Sequence, residues 1–221
     1  MSEIIMLSDV RLSFPHLIEP QKDQTNDGKF RLSYNAEFIM PSDHKGFKQF
    51  MGRVGEIATA EWKEHAQSVM QIIGQDRKLR CYGQGKDKVS QKTFQVYSGY
   101  DGNVYITAGC TTISDSPDAI AKRPQMIQAD GSPVDPMNTM AYQQVARKLY
   151  GGCRVNAAVR PWPQNNKHGR GIRCDLIAVQ FLRDDEAFGE APIDVTDYFG
   201  AVKTDDAPKS EDTGVMPPFL T

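Results

Sequence analysis

The sequence lacks most of the features that announce an enzyme. Its four histidines, His16, His44, His65 and His168, stand in no spacing that lets two of them, or one with a cysteine, chelate a metal. No G-x-S-x-G element is present, so there is no nucleophile elbow. The run CYGQGKDKVS misses the G-x-x-x-x-G-K-[ST] spacing that lays out backbone amides around phosphates. Acidic pairs such as Asp184 and Asp185 fall towards the C-terminus, outside any expected cleft, where acid–base chemistry has no substrate to meet. These absences predict a non-catalytic protein without metal or cofactor.

Other scarcities bound the class. Cys81, Cys110, Cys153 and Cys174 form no close pair, which speaks against a zinc ribbon or a small disulfide scaffold and predicts reduced thiols in a cytoplasm. No apolar run approaches the roughly 20 residues that span a bilayer, so no membrane partner is expected. The opening, MSEIIMLSDVRL, has no basic leader followed by an apolar segment, and no secretory signal is read there.

An excess of one charge is missing only on average. The net charge is −2, yet from Asp184 onward ten acidic residues face two lysines, a balance of −8. The first 183 residues therefore hold 24 basic and 18 acidic side chains, a balance of +6. A basic body joined to an acidic end is a pattern of nucleic-acid surfaces and interaction tails; the competing reading is a tail that only confers solubility.

What is present is mainly β pattern. In KFRLSYNAEFIM, Phe30, Leu32, Tyr34, Ala36 and Phe38 share one parity against Arg31, Ser33 and Asn35, which marks a strand with one buried face. The period then changes. Phe47, Phe50, Met51, Val54, Ile57, Ala58, Trp62, Ala66, Val69 and Ile73 recur at three- and four-residue steps, predicting a long helix, with room for a break, capped by Ser42 or Asp43 and ending at Gly74. Trp62 lies on that stripe and reads as core. Strands resume after residue 77, with Asp101-Gly102 expected to close a tight hairpin into VYITAGCTTI. An irregular, proline-containing piece follows. A short helix is expected from Asp135-Pro136, carrying Met137, Met140, Ala141, Val145 and Leu149. A last hairpin runs from RVNAAVRPWPQNNKHGRG into IRCDLIAVQFLR. The order suits a small closed antiparallel β-barrel with one long inserted helix and one short helix, the alternative being an open α+β sheet. Residues 1–200 read as one domain and 201–221, charged and without periodicity, as a disordered acidic tail.

Cations and rings interleave along two stretches. Arg80, Lys88, Lys92, Tyr97, Tyr100 and Tyr105 lie in the first, Arg154, Arg160, Trp162 and Arg170 in the second. Single-stranded nucleic acid offers a charged backbone and unstacked base faces, which cations and aromatic rings meet respectively, each stacked base contributing about 1–3 kcal/mol. The bland reading makes the tyrosines core and the lysines solvated. By parity Val155, Ala157 and Val159 face inward while Arg154, Asn156 and Arg160 line the outside, and Pro161 and Pro163 stiffen the backbone around Trp162.

The segments VRLSFPHLIEP, GKFRLSYNAEFIMP, GYDGNVYITAG, RPQMIQADGSPV, YGGCRVNAAV and LIAVQFLRDDEAFG, in that order, resemble a family of tailed-bacteriophage proteins first catalogued as a domain of unknown function. The resemblance runs from about Asp9 to Phe199. It implies an OB-type barrel, binding of single-stranded DNA in phage replication, recombination or repair, and a place in the host cytoplasm. A flexible acidic segment closing on a hydrophobic tip, here Asp205, Asp206, Glu211, Asp212 and Phe219, is also similar to replication proteins whose tails dock phage or host partners. The alternative from another class is a non-enzymatic structural or scaffolding protein of a phage particle, with a basic surface that merely meets packaged DNA.

Overall fold

A computed structural model describes residues 3–167 and 169–189. The expected tail, with Asp205, Asp206, Glu211, Asp212 and Phe219, lies outside the described residues.

Strands β1 (Ile5–Gln24) and β2 (Phe30–Met40) lead into helices α1 (Lys45–Trp62) and α2 (Ala66–Gln75). They are followed by β3 (Tyr82–Gln84), β4 (Val104–Ser114), β5 (Gln125–Ile127), β6 (Pro133–Val134), α3 (Thr139–Ala146), β7 (Arg154–Asn166) and β8 (Gly169–Arg183). The eight strands form one sheet in the order β3-β4-β2-β1-β7-β8-β5-β6, mainly β with one long and one short helical segment. A further parallel pairing joins Gly109 of β4 to Asp175 of β8, so strands far apart in that order meet again.

The alternation read from the sequence sets the core. Leu32, Tyr34, Ala36 and Phe38 of β2, Ile106, Ala108 and Cys110 of β4, and Val155, Ala157 and Val159 of β7 are all buried on one side of the sheet. The helical stripe packs there too: Phe50, Val54, Trp62, Val69 and Ile73 join the same core cluster. Burying each such large side chain contributes about 1.5–3 kcal/mol, which fixes the strand faces against a one-residue slip.

Local chemistry departs from expectation in four places. The cap of α1 is His44, not Ser42 or Asp43. Its Nδ1 accepts from the Gly46 amide at 3.1 Å while Nε2 lies 2.9 Å from the Ser8 carbonyl oxygen, so the ring carrying its proton on Nε2 satisfies both and ties α1 to β1. The helix breaks at Lys63–His65, where Lys63 takes φ 49°, and resumes to end at Gln75, one residue beyond Gly74. Asp101-Gly102 does form a turn, with the Asn103 amide donating to the Tyr100 carbonyl at 3.0 Å. It ends a long loop rather than a two-residue hairpin, because the strand that precedes β4 in the chain and pairs with it, β3, closes at Gln84. Finally, α3 starts at Thr139 with Asn138 as cap, since Asp135 spends its carboxylate on the Met137 amide in a turn of its own. The irregular stretch before it contains the β5–β6 hairpin, whose β5 runs parallel to β8.

Candidate nucleic-acid interface

On the side of the sheet away from the core, backbone register lines up residues from five strands. His16 of β1 pairs with Asn35 of β2, Asn35 with Gly109 of β4, Gly109 with Asp175 of β8, and Asp175 with Arg160 of β7. Next to this row lie Ser13, Glu37 and Thr107 on one flank and Gln21, Ser33 and Thr111 on the other. Gly109 brings no side chain to the centre of the row, and β2 approaches it closely: a Cβ there would come to 3.0 Å from the Asn35 Cβ and the Tyr34 carbonyl oxygen. A glycine inside a strand leaves room for a ligand or another chain to approach the backbone.

Aromatic rings stand at both ends. At one end Phe14 and Tyr97 meet edge to face with centroids 5.1 Å apart, and Phe94 projects from the same loop as Tyr97. Their exposures are 44%, 38% and 83%, and Trp162, at the other end beside Arg160, is 38% exposed. Phe14 and Phe94 both hold positive φ, 44° and 56°. For bulky residues that backbone is costly and persists where the surroundings enforce it, which occurs most often at functional sites.

The first cluster is built on a buried carboxylate. Glu37, nearly enclosed, accepts from Lys88 Nζ at 2.5 Å and from the Tyr100 hydroxyl at 2.5 Å. Lys88 also lies 4.7 Å from the centre of the Tyr105 ring. Burial, and then the Glu37 charge, pushes the Tyr100 and Tyr105 hydroxyls above their usual pKa, so both stay neutral donors. This knot pins the residue 85–103 loop over β2 and β4. Gly85 permits the close approach, because a Cβ there would overlap the Tyr100 carbonyl.

The ten residues singled out from the sequence thus divide. Tyr97, Lys92, Trp162 and Arg170 are exposed. Tyr100 and Tyr105 are core: they pack on Ile39 and on each other under the loop, and neither offers a face to a base. Lys88 is engaged with Glu37, and Arg80 is half-buried, 5.9 Å from the Tyr82 ring centre. Arg160 is bound by Asp175 at 2.8 Å. Arg154 is bound by Asp185 at 2.6 Å and donates to the Asp9 carbonyl oxygen at 3.1 Å. The same Asp185 approaches Arg11 at 3.8 Å, and Phe188 covers the Arg11 guanidinium at 4.2 Å. The acidic stretch after β8 therefore lies over two arginines of the outer face.

Sequence reasoning missed Phe14, Asn35, Gly109 and Asp175. The SFP in VRLSFPHL carried a usable signal, an aromatic beside a proline in a run of strand character, but parity places Phe14 on the buried face of Val10 and Leu12 if the strand is regular. It is not, since the β1–β2 register shifts between Ser13 and His16. Among the described residues no group of histidine, cysteine and acidic side chains is arranged to hold a metal, and no helix is long and apolar enough to cross a membrane.

Comparison with known proteins identifies the family. The family described as Enterobacter phage Enc34, ssDNA-binding protein, matches residues 3–209. Protein p50 of Acyrthosiphon pisum secondary endosymbiont phage 1 is 27% identical over 186 residues, covering 83% of this chain and 85% of that one. The single-stranded DNA-binding protein from bacteriophage Enc34, solved in complex with ssDNA, superposes with a TM-score of 0.59 at 25% identity over 84% of this chain and 89% of that chain. The same protein solved on its own gives a TM-score of 0.56 at 25% identity, covering 88% and 89%. With a match across nearly its whole length, the chain belongs to the family of the Enc34 phage single-stranded DNA-binding protein.

Proposed function

We propose that this protein is a phage single-stranded DNA-binding protein that coats exposed strands without sequence preference, using the outer row from His16 to Arg160 as its track. The carrying observation is the placement of exposed rings at both ends of that row, with a side-chain-free step at Gly109 between them. Phe14, Tyr97 and Trp162 supply stacking surfaces, and Lys92, Arg160 and Arg170 supply phosphate contacts. Stacking tolerates any base because every base has a π face.

The meeting of β4 with β8 supports an OB-type barrel, since that pairing joins the two sides of a five-strand run β4-β2-β1-β7-β8. Non-catalytic action in the host cytoplasm fits the family and the chemistry available. In this reading residues 1–200 form the DNA-binding body, and 201–221 form an arm that docks phage or host replication and recombination proteins through Asp205, Asp206, Glu211, Asp212 and Phe219. The arm also competes with DNA for the basic face, so deleting it raises affinity, most clearly at low salt where charges are least screened.

Fluorescence anisotropy with a labelled oligothymidine tests the reading. Tight binding to the single strand, weaker binding to a duplex of equal length, and affinity that falls steeply with salt are expected. Equal affinity for both forms would instead favour a scaffolding protein with a generally basic surface.

A further inference from the structure

A carboxylate sits where a polyanion is proposed to lie. Asp175 is in the middle of the outer row, between Gly109 and Arg160, and is half-buried. It is not part of the core, because its neighbours Cys174 and Leu176 take the inward positions. Both of its oxygens are engaged by the two β7 residues of the interface: Oδ1 accepts from Trp162 Nε1 at 2.9 Å and Oδ2 from an Arg160 Nη at 2.8 Å. Arg160 and Trp162 stand two residues apart on β7 and so share a face.

The tie has consequences for both partners. An exposed indole turns about two side-chain bonds, and a hydrogen bond at one edge removes that freedom before a base arrives, lowering the cost of ordering the ring. Arg160 gives one donor to Asp175 and keeps others of its fork for a phosphate. Against this stands the repulsion between Asp175 and the DNA backbone. That carboxylate is already paired with a guanidinium, and salt screens what remains. A stacked base is worth about 5- to 150-fold in affinity, which outweighs one neutralised charge.

We propose that Asp175 is a positioning residue for single-stranded DNA, an acidic side chain that tightens binding of a polyanion by presenting Trp162 and Arg160 as one preset unit. The proposal rests on the reading of the outer face given above. Charge alone gives the opposite sign, since removing a carboxylate from a DNA-binding face should strengthen binding.

The test uses the full chain and a labelled oligothymidine at physiological ionic strength. Asp175→Ala should bind about tenfold more weakly, and Asp175→Asn, whose amide oxygen still accepts from the indole N–H, should recover most of that loss. Iodide quenching of the free protein reports Trp162, because Trp62 is only 4% exposed; quenching should rise in Asp175→Ala and stay near wild type in Asp175→Asn. The losses from Trp162→Ala and Asp175→Ala should not add in the double variant. Tighter or unchanged binding by Asp175→Ala overturns the proposal while leaving the DNA-binding reading intact. So does a loss accompanied by a lower melting temperature with unaltered iodide quenching, which would mark a merely structural role. Failure of the wild-type protein to bind the oligonucleotide would overturn the underlying reading and this inference with it.

Discussion

Phe14 of β1 and Tyr97 of the residue 85–103 loop meet edge to face, ring centroids 5.1 Å apart, and both remain open to solvent. Neither ring is needed to fill the core, so their pairing presents a surface rather than closing one. Phe14→Ala and Tyr97→Ala should each weaken oligothymidine binding at every salt concentration by about 1–3 kcal/mol. Melting temperatures should move little, because exposed positions rarely change stability by more than about 0.5 kcal/mol. Paired anisotropy and thermal-melt measurements check both halves.

Lys88 and Lys92 look alike in the sequence and should behave in opposite ways. Lys88 neutralises the enclosed Glu37, which also holds Tyr100. Lys88→Ala leaves that carboxylate without its cation, and removing one member of a buried pair costs about 3–5 kcal/mol. A clear fall in the urea midpoint is therefore expected. Lys92 is exposed and makes no ion pair among the described residues. Lys92→Ala should leave the midpoint in place and flatten the plot of log affinity against log salt by about 0.7 for each phosphate that the lysine neutralises.

The contrast between those lysines marks where sequence reading stops. Strand parity located the buried faces of β2 and β7 because the alternation repeats over several residues, and the helical stripe from Phe50 to Ile73 was legible with its break for the same reason. Tyr100 and Tyr105 read as equally eligible for an exposed face, since parity says which side of a sheet a residue takes but not whether a loop will cover that side. The 85–103 loop does cover it. Likewise Arg154 and Arg160 show their charge in the sequence while their neutralising partners, Asp185 and Asp175, are brought to them only by the β7–β8 pairing and the turn beyond it. Phe14 was hidden by a bulge, where one positive φ reverses the pattern on which parity depends.

Arg154 offers a test of that neutralisation. Its bond to Asp185 is also what holds the Asp185 carboxyl below the usual carboxylate range, so the pair is charged on both sides throughout neutral pH. Arg154→Ala should therefore change the salt dependence of DNA binding less than Arg170→Ala, since Arg170 is exposed and carries no ion pair among the described residues. Asp185→Asn should act in the other direction, releasing both Arg154 and Arg11 and steepening the salt dependence. Three anisotropy series across salt, one per variant, decide the order.

Stability at alkaline pH should record the burial of the thiols. Cys110 and Cys153 are enclosed, and burial pushes both thiols up to about 11 from an ordinary value of 9. Below pH 9 the thiols are protonated in both folded and unfolded chains, and pH has no leverage through them. Above it the unfolded chain loses these protons while the native protein keeps them, so the equilibrium shifts towards unfolding until the native thiols ionise near 11. Burial raises Tyr100 and Tyr142 in the same sense, which extends the decline at its upper end. The urea midpoint should thus hold steady up to pH 9 and fall continuously towards pH 11. In the native protein near neutral pH the thiols should also resist a water-soluble disulfide reagent, because only the accessible thiolate attacks it, and react fully once urea opens the fold. A midpoint that stays level across the alkaline interval, or rapid reaction of native thiols, would mean that Cys110 and Cys153 ionise as freely as in the open chain and that the sheet does not enclose them.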